Sequence, residues 1–215
     1  MSAGTAPTQP VNRNWRTAVA RVITEASGPA ICAVAGLLVV AIRNAGSGAG
    51  AAWGGFAAAG AAWGGFAALF VAGIPMGYIA KGVKAGKWSD HHVADRTQRA
   101  VPLLIALAAV AVCAGLLVAV NAPQELVALV VAMLAGLAVV LAVTHWWKVS
   151  IHAAVAGGLL GIFVILFGPW ALVGLPALAA VAWSRTVLDA HTWPQVTVGA
   201  FLGVVVAASV FPPLR

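Results

Sequence analysis

Three short polar stretches carry the residues able to do chemistry. The third, Ser184 to Gln195, sets Arg185 six positions before His191 and places Gln195 one helical turn beyond that histidine. The second holds Lys148, Ser150 and His152, and the first holds His92, Arg96 and Arg99 at i, i+4 and i+7, one stripe of a helix. Guanidinium forks at that spacing can bind several oxygens of one phosphoryl group. An imidazole whose far nitrogen is held by an amide keeps one tautomer and aims its other nitrogen outward as a nucleophile or base. Four of the five histidines, His91, His92, His152 and His191, lie in these stretches, whereas Asp90 and Asp95 are the only close acidic pair. Arginine-rich surroundings without a carboxylate cage suit an anionic substrate better than a metal ion, so no metal and no cofactor is expected.

The surroundings of these stretches are apolar. The chain of 215 residues is 62% hydrophobic and only 8% charged, with a mean hydropathy of +1.00. Apolar runs near span length recur, at about 26–43, 56–80, 101–120, 126–147, 151–168, 170–186 and 194–212. Water cannot keep so many apolar helices apart, and the runs are continuous rather than alternating. The fold class is therefore an all-α polytopic membrane bundle of six or seven transmembrane helices, not a β-barrel. Residues 1–25 read as a polar N-terminal tail and 26–215 as a single transmembrane domain. Gly168-Pro169-Trp170 reads as a tight turn between spans five and six. The octapeptide AAWGGFAA occurs at 51–58 and again at 61–68. Its small residues favour close helix approach, and it carries no chemistry of its own.

A net charge of +7 does not indicate nucleic acid, because the charges flank membrane spans instead of covering a soluble face. Cys32 and Cys113 lie inside apolar runs and read as small buried hydrophobes. Two spans separate the first polar stretch from the second, and two more separate the second from the third. An even number of crossings returns the chain to the same side, so all three stretches face one leaflet and can converge. That face holds ten of the twelve Lys and Arg, the other two being Arg43 and Arg215. The bias predicts a cytoplasmic site, in a protein of the plasma membrane.

In this order the three stretches resemble the motifs of the type 2 phosphatidic acid phosphatase superfamily of membrane lipid phosphatases. That pattern runs Lys-x6-Arg-Pro, then Pro-Ser-Gly-His, then Ser-Arg-x5-His-x3-Asp. Here the third motif is Ser184-Arg185, five residues, His191, three residues, Gln195, followed by Gly199 and Gly203. The second is Val149-Ser150-Ile151-His152. The first is His92, six residues, Arg99, with Pro102 displaced by two. The resemblance covers residues 88 to 203.

It implies that His191 is the nucleophile that takes the phosphoryl group and that His152 protonates the leaving oxygen. Gln195 would stand where an orienting Asp is usual, as it does in some polyprenyl-diphosphate phosphatases. Arg99, Arg185, Arg96 and Ser150 would hold the phosphate oxygens, and His92, Arg96 or Lys148 would supply the charge of the motif's Lys. Ile151 replaces a glycine of the phosphate cradle. The function expected is metal-independent hydrolysis of an isoprenoid (di)phosphate or a glycerolipid phosphate through a phosphohistidine. Two rivals remain: a catalytically silent lipid-phosphate binding or transport protein on the same scaffold, and a transferase. The partners expected are the lipid substrate and the bilayer. The Ser-Arg-x5-His-Thr form and the bulky Trp146, Trp147, Trp183 and Trp193 near the interface favour one slender isoprenoid chain.

Overall fold

The computed structural model describes residues 15–45, 53–86 and 100–215. Among them every regular element is helical. Helix α1 (Trp15–Ala26) leads through Ser27 and Gly28 into α2 (Pro29–Ala45), and the two axes meet at 45°. Proline opens α2 because the first turn has no intrahelical use for its missing N–H. Helix α3 (Trp53–Ala68) passes through a π-helical turn, Leu69–Gly73, into α4 (Ile74–Lys84). Then come α5 (Ala100–Ala119), α6 (Gln124–Trp146), α7 (Ile151–Phe167), a 3-10 segment Pro169–Gly174, α8 (Leu175–Val187) and α9 (Trp193–Leu214).

Five of these helical stretches are long and apolar enough to cross a membrane, and the bent pair α1–α2 makes a sixth. Helix α7 adds a shorter apolar helix of 17 residues. The all-α polytopic bundle read from the sequence is thus the architecture found. The turn expected at Gly168 is present: Gly168 takes φ 75°, a region open to glycine at little cost, and the 3-10 segment follows.

The expected tail boundary at residue 25 falls inside a helix. Residues 15–25 belong to α1, which packs on α8 and buries Ala20 and Thr24. Thr24 Oγ donates to Ser184 Oγ at 3.1 Å, and Ser184 donates on to the Val181 carbonyl at 2.8 Å. A low density of apolar residues in this stretch hid the helix from a reading based on span-length runs. Residues 1–14 lie outside the described region.

Lipid tails are as apolar as leucine, so contact quality rather than water exclusion holds helices together in a bilayer. The most extensive contact is α7 against α9. A Cβ on Gly203 would lie 2.0 Å from the Ala154 carbonyl oxygen, and one on Gly199 would lie 2.6 Å from that of Ser150. Only hydrogen fits at either place. The repeat behaves similarly: a Cβ on Gly60 would meet the α2 backbone at Ile42 at 2.8 Å. Leu37, Leu117, Leu126, Leu129 and Phe211, all fully buried, fill the centre of the bundle.

At the end away from Ser150 and His191, Arg43 pairs with Glu125, which also accepts from Asn44 Nδ2 at 2.9 Å. Arg43 lies over the Phe167 ring, 5.8 Å from its centre. These contacts tie the end of α2 to the start of α6 and the end of α7. Both cysteines are free thiols; Cys113 is buried and Cys32 half-buried.

Candidate functional site

The buried polar side chains gather at one end. Ser150 and Ser184 are fully covered, and His152, Arg185 and His191 are each about nine-tenths buried or more. Three helix termini place them: the C terminus of α8 and the N termini of α7 and α9.

The α8 terminus explains the spacing of Arg185 and His191. Asp189 adopts a left-handed conformation, φ 51°. Its N–H reaches the Thr186 carbonyl at 3.1 Å, and the Ala190 N–H reaches back to the Arg185 carbonyl at 3.1 Å. This is the Schellman pattern, with an Asp in the position usually held by glycine. The reversal carries the chain on until the His191 N–H also bonds the Arg185 carbonyl at 3.1 Å. Five intervening residues are what this turn requires. Arg185 itself sits in the last turn of α8, where a cation interacts favourably with the helix dipole.

Directly afterwards Thr192 caps α9. Thr192 and Gln195 form a reciprocal capping box, and Pro194 occupies the first turn. Gln195 Oε1 accepts from the Thr192 N–H at 3.1 Å and lies 3.2 Å from His191 Nδ1. A backbone N–H can only donate, so the amide atom facing it must be the oxygen. That oxygen can only accept, so His191 Nδ1 carries a proton, and in the neutral ring the lone pair is then on Nε2.

The main chain of Gln195 has a second task. Its carbonyl accepts from the Ser150 N–H at 3.2 Å and so pins the start of α7 to the first turn of α9. After α6 the chain turns extended at Trp147 and reaches Ser150, which caps α7 by accepting from the Ala153 N–H at 3.3 Å. The Ser150 hydroxyl proton stays available to a further acceptor. His152 follows in the first turn of α7, where the helix carries partial positive charge. Lys148, half-buried, lies in the connection just before the cap.

Of the residues singled out from sequence, hydrogen bonds join Arg185, His191, Gln195 and Ser150, and His152 and Lys148 each lie two residues from Ser150 along the chain. His92, Arg96 and Arg99 lie outside the described residues, as does His91. His145 ends α6 exposed and edge-on to Trp146, with ring centres 5.2 Å apart. Trp146, Trp147 and Trp193 are also exposed, and Trp183 is half-buried. Thr192, Asp189, Ser184 and Thr24 are structural partners that spacing alone had not assigned. Thr192 was within reach of a sequence reading, since Thr-x-x-Gln before an apolar run is a capping-box signature. Among the described residues no three His, Cys, Asp or Glu side chains are grouped as metal ligands. What the arrangement offers is a tautomer-fixed imidazole, a second imidazole at a helix N terminus, an arginine and a hydroxyl.

Comparison with known proteins finds no matching family model, no matching curated protein and no matching solved structure.

Proposed function

We propose that this protein is a membrane phosphatase acting on a lipid phosphate or diphosphate through a phosphohistidine at His191. The observation that carries the reading is the bond from His191 Nδ1 to an oxygen that can only accept, which in the neutral ring puts the lone pair on Nε2, the nitrogen that would attack. Nε2 attacks phosphorus, and the bond from phosphorus to the leaving lipid oxygen breaks. His152 in its protonated form gives that oxygen its proton. Water then attacks the phosphohistidine, His152 takes the water's proton, and the nitrogen–phosphorus bond breaks to release phosphate.

Arg185, the Ser150 hydroxyl, Lys148 and the positive end of α7 face the growing negative charge on the non-bridging oxygens, with His92, Arg96 and Arg99 as further donors. Such preorganised donors stabilise the transition state more than the ground state. The Gln195 amide orients the imidazole but stabilises its cation less than a carboxylate would. The phosphate lies at the membrane boundary while the tail remains in apolar surroundings. The excess of cations on this face favours a cytoplasmic site.

The test is phosphate release from lipid phosphates by pure protein in detergent. His191→Ala should abolish it. Activity should persist in chelator and be inhibited by vanadate, whose five-coordinate adduct with a His nitrogen mimics the transition state. Near-normal turnover by His191→Ala would refute the mechanism, and a metal requirement would refute the metal-free chemistry. Binding of lipid phosphate with no release would favour the silent binding protein.

A further inference from the structure

An apolar cavity of about 230 Å³ lies inside the bundle, between α2, α4, α5, α6, α7 and α9. Its wall on α7 is one continuous stripe: Ile151, Ala154, Val155, Gly158, Leu159 and Ile162. A matching stripe on α6 runs from Leu129 through Ala132 and Gly136 to Val140. Small residues on both stripes hold the space open, and the π-helical turn supplies Val71 and Ala72 on the opposite wall. Because both stripes run along a helix axis, the cavity is elongated. Ile151 to Ile162 spans about 16 Å at 1.5 Å per residue.

The two ends differ. The upper end reaches Ile151, which sits between Ser150 and His152, and Pro29, which opens α2 at the level where α1 meets α8. The far end is lined by Val110, Leu129, Ile162 and Ala207, all buried in the packed core, and they form its floor.

We infer that this cavity takes the hydrocarbon tail of the phosphorylated lipid as a single prenyl chain, and that its closed floor limits the length of chain accepted. The inference rests on the phosphatase reading for the position of the headgroup. Carbon–carbon bonds near 1.5 Å, laid in a zigzag, fit on the order of a dozen main-chain carbons into that length. Three isoprene units supply that number. On the scale of a dry cavity of about 150 Å³ that holds one benzene ring, the volume takes about nine or ten carbons, so the two units farthest from the headgroup fill it and the first lies toward the headgroup. A space this narrow for its length holds one chain and has no room for the paired acyl tails of a glycerolipid. Its walls have no charged side chain, so a tail enters without stripping a charge of its water.

The experiment compares kcat/KM for prenyl diphosphates of two, three, four and six isoprene units, with phosphatidate as the two-tailed control. Three units should be preferred over both two and six by about tenfold or more, because each added unit gains apolar contact only until the floor is met. Ala132→Phe raises the floor and should move the optimum to two units. Leu129→Ala lowers it and should move the optimum to four. The two variants act in opposite directions, so misfolding of one leaves the other to decide.

Cys32 lines the cavity and reports occupancy without turnover. In His191→Ala protein its labelling by N-ethylmaleimide should be blocked by three-unit prenyl diphosphate and not by phosphatidate. If no lipid releases phosphate but Cys32 is protected with the same length optimum, the phosphatase reading fails and the chamber stands. A length profile that is flat, or unmoved by either floor variant, overturns the chamber while leaving the phosphatase. Equal protection of Cys32 by phosphatidate overturns the single-chain assignment.

Discussion

His191 Nδ1 lies 3.2 Å from Gln195 Oε1, and the same oxygen accepts the Thr192 N–H at 3.1 Å. One side chain therefore caps α9 and sets the tautomer of the candidate nucleophile. Substitutions at position 195 should separate these tasks. Gln195→Glu keeps an acceptor at the same reach and stabilises the imidazolium, so its kcat should match or exceed that of the parent. Gln195→Leu leaves the ring free to take the other tautomer and should lower kcat by about 10²-fold or more, with little change in KM. Equal activity of the two variants would remove Gln195 from the mechanism.

His152 stands in the first turn of α7 and is assigned to proton transfer. Its loss should matter in proportion to how much the leaving oxygen needs a proton. His152→Ala should slow an alkyl lipid monophosphate by about 10²-fold or more and a p-nitrophenyl phosphate far less in the phosphorylation step. Single-turnover measurements with both substrates give the ratio. A uniform loss would assign His152 to binding.

Gly203 meets the Ala154 carbonyl so closely that a Cβ would lie 2.0 Å from it. Gly203→Ala must push α9 away from α7, and with it Gln195 from Ser150. The expected cost is about 1–3 kcal/mol, read as a lower thermal midpoint in detergent, together with a fall in kcat. Gly115, whose added Cβ would meet nothing within 4 Å, is the control: Gly115→Ala should leave both unchanged.

Orientation can be read with two cysteines in a background lacking Cys32 and Cys113. Trp146→Cys lies at the end of α6 beside the candidate site, and Val120→Cys lies just beyond α5 at the other end; both positions are exposed. In intact cells an impermeant thiol reagent should label Val120→Cys and spare Trp146→Cys. The reverse pattern would put the site on the outer face.

Spacing and composition were enough to determine the class of this protein: apolar helices of span length, a turn at Gly168, and a second and third polar stretch that meet where α7 and α9 begin. These features were legible because each depends on local pattern or on counting. The constellation of His191, Gln195, Arg185, Ser150 and His152 was legible as residue types, and its third stretch also as geometry, since a Schellman turn followed by a capping box is written within eleven consecutive residues, Arg185 to Gln195.

What the sequence could not show depends on contacts between distant segments. The Ser150 N–H meets the Gln195 carbonyl 45 positions away only because Gly199 and Gly203 let two backbones touch. Helix α1 forms where hydropathy is low because α8 offers it a surface and Ser184 a hydrogen-bond partner. The cavity is less legible still. It is a space left between six helices beside their packed core, and no residue type marks such a space, since Ala132, Gly136 and Gly158 read as ordinary packing residues until their neighbours are in place. Local energetics sets the elements, but the volume between them is a property of the assembled bundle.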